Sequence, residues 1–140
     1  MALYSTLLVA IDPDDTEAHK LMIKAAVIAE QNHAELHLAF VEPGMGNVSF
    51  ADAELSLEEA HTQLEQHRMT KLQALSDNSP YKVRAIHMAN GDVANHLVVL
   101  AEKTGANLVI TGHRKSGIHW FRDISQVLTD ELGCDVLICQ

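Results

Sequence analysis

Basic side chains are in short supply in this chain. Ten Lys and Arg face 19 Asp and Glu, for a formal net charge of −9 over 140 residues. The acids crowd Asp12-Pro13-Asp14-Asp15-Thr16-Glu17 and the stretch from Asp52 to Glu59. Such a field repels phosphate backbones, and no Lys/Arg stripe offsets it, so nucleic acid is not an expected partner. Long apolar runs are missing too: none reaches the roughly 18 residues of a membrane span. The start, Met1-Ala2-Leu3-Tyr4-Ser5, lacks the basic opening and small-residue cleavage site of a signal peptide. Together these absences predict a cytoplasmic protein with no membrane partner. Cysteine is limited to Cys134 and Cys139. Along a strand their separation spans about 16 Å, whereas a disulfide needs Cα atoms within about 7 Å. Both are expected as buried small hydrophobes.

Catalytic signatures are absent as well. There is no Gly-x-Ser-x-Gly elbow, no His-Asp-Ser spacing and no acidic pair at a defined site, so no catalytic residue and no enzyme is expected. Nine histidines raise the question of a metal. Glu58, His61 and Glu65 fall at i, i+3 and i+7 of one helical face. Without a His-x3-His pair or a His-Glu-x-x-His run, they predict no metal site.

What is present is a regular alternation. Hydrophobic residues make up 47% and charged residues 21%, ordinary values for a globular chain, and 140 residues suit one domain, 1–140. Short apolar runs predict strands at Thr6 to Ile11, Glu35 to Val41, Lys82 to Met88, Asn107 to Thr111 and Asp135 to Cys139. Between the first two, Asp14 or Asp15 caps a helix with a stripe of Ala18, Leu21, Met22, Ala25, Ile28 and Ala29 that ends at Asn32. Met45 to Ala53 is irregular. A long helix then carries Leu57, Ala60, Leu64, Arg68, Leu72 and Leu75 on one face, the Arg68 stem covering apolar surface, until Asp77-Asn78-Ser79-Pro80 breaks it. Asn90-Gly91-Asp92 turns the chain into a helix with Ala94, Leu97, Val98 and Ala101, stopped by Gly105. Ile124, Val127 and Leu128 mark a last helix, ended by Gly133.

Strict alternation of this kind means an all-parallel sheet with helices on both faces and right-handed crossovers. The charges of Lys82 and Arg84 suggest that the third strand lies at an edge. The first and fourth strands are the most apolar and form the natural central pair. If their crossovers leave in opposite directions, a crevice opens beyond their carboxyl ends, with Asp12 and Gly112 facing across it.

In order and spacing, nearly the whole chain resembles the universal stress protein family. The resemblance rests on Leu7-Leu8-Val9-Ala10-Ile11-Asp12, Gly91-Asp92, Leu108-Val109-Ile110-Thr111-Gly112-His113 and Asp135-Val136-Leu137-Ile138. It implies a five-stranded parallel sheet of order 3-2-1-4-5, the adenine nucleotide alpha hydrolase-like α/β fold, and a cytoplasmic homodimer active in the stress response. ATP-binding members carry Gly-x-x-Gly, nine residues, then Gly-Ser or Gly-Thr after the fourth strand. Counted from Gly112, the second glycine falls on Lys115 and the final pair on Ser125-Gln126. The segment from Gly112 to Asp135 is also shorter than in that pattern. In both respects the chain resembles the A-type branch, which is not expected to bind ATP.

The physical chemistry points the same way. Glycines let backbone N–H groups approach phosphate oxygens, and Lys115 and Ser125 place Cβ atoms where that approach would occur. The expectation is therefore no cofactor. An ATP-binding regulatory module with slow or no hydrolysis is the alternative, because Gly117 can act as a displaced second glycine. In either case Asp12, Gly112, His113, Arg114, Lys115 and Ser125 mark the vestigial or alternative nucleotide or anion site. Asp12 has a plainer role open to it, ending the first strand and capping a helix. His113, Arg114, Lys115, His119 and Arg122 form the one basic cluster, an anion site or a solvated loop. In the family's order the fifth strand, Val136 to Cys139, is an edge with no lysine, proline or bulge signal to blunt it. It is expected to pair with its own copy, and protein partners remain open.

Overall fold

The computed structural model of the protein describes residues 2–43, 57–112, 131 and 133–139. Strand β1 (Thr6–Ala10) is followed by helix α1 (Ala18–Asn32), β2 (Glu35–Pro43), α2 (Leu57–Asp77), β3 (Val83–Gly91), α3 (Val93–Thr104), β4 (Leu108–Gly112) and β5 (Asp135–Cys139). The strands form one sheet of order β3-β2-β1-β4-β5, and every pairing is parallel. Strand β1 is central with β4 as one of its two neighbours, and β3 is an edge, so the apolar runs place these two strands side by side and the charged run places the edge.

The side-chain alternation of β1 explains the two layers. Leu7, Val9 and Ile11 point to one face, where Leu36, Leu38, Phe40, Leu108 and Ile110 meet Leu21, Met22, Ala25 and Ala29 of α1 and Leu72 of α2. Leu8 and Ala10 point to the other, where Ala39, Val41 and Val109 meet Val93, Ala94, Leu97, Val98 and Ala101 of α3. A strand buried on both faces must be apolar at every position, and each large side chain so buried contributes roughly 1.5–3 kcal/mol.

The amino end of the sheet is stitched by side-chain amides. Asn107 Oδ1 accepts from the N–H groups of Ser5 and Thr6 at 3.1 and 3.2 Å, and Asn32 Oδ1 accepts from Leu3 and Tyr4. The Tyr4 hydroxyl donates to Asp135 Oδ2 at 2.9 Å, fastening the start of β5. That bond to a carboxylate raises the Tyr4 pKa.

Several boundaries differ from expectation. Helix α1 begins at Ala18, and its N-cap Glu17 makes no side-chain capping bond. Asp12 and Asp15 act earlier, accepting from the N–H groups of Asp14 and Glu17 at 2.9 Å each, so successive turns replace the expected cap. Strand β3 runs to Gly91 because its ladder with β2 continues through Pro43 and Gly91, whose φ of +123° only glycine adopts freely. Asp92 then caps α3, accepting from Asn95 N–H, and Gly105 closes that helix with φ +75°. The cysteines are half-buried rather than buried: Cys134 packs on the α3 face and Cys139 on the other, because β5 lies at the sheet's edge. The expected last helix around Ile124 and the irregular stretch from Met45 to Ala53 lie outside the described residues.

Leu72 has no solvent exposure and anchors α2, with Leu75 packed beside it. Leu72→Ala should therefore cost about 2–5 kcal/mol in urea unfolding. Val99→Ala, at 50% exposure on α3, should stay within about 0.5 kcal/mol. Similar losses in the two variants would contradict this packing.

Candidate functional site

A crevice at the carboxyl ends of β1 and β4 follows from the strand order. From β1 the chain crosses to β2 on one side, and from β4 to β5 on the other, so the two connections diverge. The register pairs Ala10 with Thr111. Ile11-Asp12 and Gly112 are thereby the next residues out on adjacent strands, and these two predicted site residues are brought together. His113, Arg114, Lys115 and Ser125 lie outside the described residues, as do the rest of the basic cluster and the side chains of Glu58 and His61.

Asp12 is half-buried, and its carboxylate holds the turn through Asp14 N–H. Its carbonyl accepts from Asp15 N–H at 3.0 Å. Gly112 has a packing reason of its own. A Cβ at this position would sit 3.3 Å from Leu21 Cδ2, so a larger residue would press on α1.

The third wall comes from α2. Arg68 and Lys71, one turn apart, both reach Asp14 in the loop after β1. The Arg68 guanidinium also lies 5.8 Å from the centroid of the Phe40 ring, near the carboxyl end of β2. Its stem covers apolar surface as the helical stripe predicts, and its charge pairs with Asp14. Among the described residues of this rim, Asp12, Asp14 and Asp15 stand against Arg68 and Lys71, which converge on Asp14.

A second polar cluster lies away from the crevice, on the α3 face. His37 Nδ1 and His87 Nε2 are 3.0 Å apart across β2 and β3, and His37 Nε2 is 3.4 Å from Glu35 Oε2. Sequence reasoning missed this pair. The sole signal was a histidine at an alternating position in each of two strands, and without the register nothing brings the two together. Among the described residues, no group of three or more metal-ligating side chains converges.

A model of the universal stress protein family matches residues 3–140. The chain belongs to the universal stress protein family. The family's defining association is with the stress response, and its members are generally not enzymes. Among curated relatives, the universal stress protein A homolog of Pasteurella multocida is 24% identical over 136 residues, covering 97% of this chain and 96% of the relative. The fold is shared with UspA from Lactobacillus plantarum at a TM-score of 0.71 and 16% identity, covering all of both chains. It is shared too with a universal stress protein in complex with cAMP, at a TM-score of 0.63 and 19% identity, over 98% of this chain and 97% of that one. The A-type resemblance read from the sequence thus has a named counterpart. Among the described residues, no helix is long and apolar enough to cross a membrane.

The Asp14 cluster makes a ranked prediction. Asp14→Ala leaves two partly desolvated cations facing each other and should cost about 1–3 kcal/mol. Lys71→Ala removes the more exposed of the two partners and should cost about 0.2–1 kcal/mol. Denaturant unfolding of both variants at low and high salt measures the order, and screening should narrow the gap. Equal costs at both salt levels would remove Asp14 from its central place.

Proposed function

We propose that this protein is a non-enzymatic, cytoplasmic stress-response protein that acts as a homodimer through β5 and does not bind ATP. The observation carrying the dimer is the β5 edge itself. Leu137 and Ile138 are 39% and 37% exposed on a strand whose outer N–H and C=O groups have no neighbour in the sheet among the described residues. Antiparallel pairing with a second copy about a two-fold axis covers those side chains and satisfies that edge in one closed step. Edge β3, by contrast, carries the exposed charge of Arg84 near its start, with exposed Lys82 just before it. The dimer then meets protein partners, with the net charge of −9 keeping nucleic acid and anionic membranes away.

The charges described at the crevice support the absence of ATP. A triphosphate approaching the described rim meets more carboxylates than cations, and both cations are held by Asp14. Lys115 and Ser125 stand where the ATP-binding pattern has glycines, and Gly112 has a steric role against Leu21 that requires no ligand. One observation favours the second reading, an ATP-binding regulatory module. A relative with this fold is in complex with cAMP, and Asp12 and Gly112 do adjoin across the crevice.

Two measurements test these readings. Titration of the purified protein with ATP-Mg²⁺ by calorimetry should show no saturable heat in the low micromolar range. Tight binding that Asp12→Ala and Gly112→Val both weaken would establish the second reading instead. For the dimer, wild type should sediment as a dimer at micromolar concentration and Leu137→Glu as a monomer. Monomeric wild type would sink the β5 interface.

A further inference from the structure

His37 on β2 and His87 on edge strand β3 meet diagonally. The register pairs His37 with Ala85 and Ala39 with His87. The ring centroids are 5.3 Å apart with planes 23° from parallel. His37 is 8% exposed and His87 half-buried. Around them the same face presents Leu8 and Ala10 of β1, Ala39 of β2 and Ala89 of β3, all apolar. The charged neighbours are Glu35 of β2, against His37, and Lys103 of α3, whose charge acts on His87. His96 of α3 stands at the far end of β3, against Gly91.

A neutral imidazole has one N–H and one lone pair, so two rings in contact need one of each at the meeting point. Glu35 beside His37 Nε2 favours the hydrogen there. His37 Nδ1 then accepts from His87 Nε2–H. One added proton finds a place: His37 carries both hydrogens, one toward Glu35 and one toward a His87 that holds its own hydrogen on Nδ1. A second proton does not. Both facing nitrogens would then be donors, and two cations would oppose each other in a partly desolvated site.

We propose that His37 and His87 form an acid-sensitive clasp, which ties edge strand β3 to the body of the sheet at neutral pH and releases it when both rings are protonated. The clasp rests on this geometry alone and is independent of the nucleotide and dimer readings. The direction of the effect follows from His87. Burial, then His37, then Lys103 hold its pKa below the ordinary value of 6.5. The folded protein therefore binds fewer protons than the unfolded chain just below that value. Stability from the clasp is complete above the unfolded pKa and is lost as pH falls from there toward the folded one.

The test compares urea midpoints at about pH 7.5 and about pH 5.5 for wild type, His87→Gln and His96→Gln. Ring proton titrations by NMR accompany them. Wild type and His96→Gln should lose more of their midpoint on acidification than His87→Gln, which has no second ring to charge. Backbone hydrogen exchange around Ile86 to Met88, corrected for intrinsic rate, should quicken at the lower pH in wild type. Equal losses in wild type and His87→Gln, or two rings titrating independently at the ordinary histidine value, would overturn the clasp. Should His87→Gln fail to fold, the wild-type titrations decide: coupled curves with His87 protonating below the ordinary histidine value support it, and ordinary independent curves refute it.

Discussion

Strand β1 is buried on both faces, with Leu7, Leu8 and Val9 at 0% exposure, and it hydrogen-bonds along both edges to β2 and β4. No polar substitution at these positions has anywhere to turn, since each side chain points into one of the two cores. The rest of the molecule is arranged around this constraint. Helices α1 and α2 close one face and α3 the other, and the amides of Asn32 and Asn107 fasten the incoming chain so that the strand starts in register. The same central placement opens the crevice where the crossovers of β1 and β4 part.

A shared fold does not by itself carry a shared chemistry, and the crevice is where the two part. Relatives of this fold include a protein in complex with cAMP, yet fold alone does not transfer a ligand. In this chain Asp12 holds a turn, Gly112 makes room for Leu21, and Arg68 and Lys71 converge on Asp14. Each of these residues has a structural task at the rim. A ligand there would have to compete with contacts already made within the chain.

The two sheet edges are treated in opposite ways. At the start of β3, Lys82 and Arg84 carry charge into water, and His37 and His87 join the edge strand to its neighbour through a side-chain bond in addition to the ladder. At β5 the start is fastened by Tyr4 to Asp135, while Leu137 and Ile138 remain exposed. Charge discourages a new strand from adding to a sheet, and exposed aliphatic side chains favour it. The proposed dimer and the proposed clasp thus lie at opposite ends of the sheet.

Local sequence determined the elements, because periodicity, caps and burial leave their mark on consecutive residues. The doubly apolar run of β1, the stripe of α1 ending at Asn32, the Gly105 stop and the five residues of β5 could all be read from the chain. So could the pair Asp12 and Gly112, since a parallel sheet with a central switch brings strand ends together. The start of α1 was less legible, because four closely spaced acids and a proline in the loop after β1 offer several competing turns. Strand order came from family resemblance and not from periodicity, which records which face is apolar but not which strand is neighbour. Only tertiary structure could set Arg68 and Lys71 on Asp14 or His37 on His87, pairs separated by 50 or more positions. Such contacts depend on register and crossover geometry, and these are settled by packing the whole chain at once.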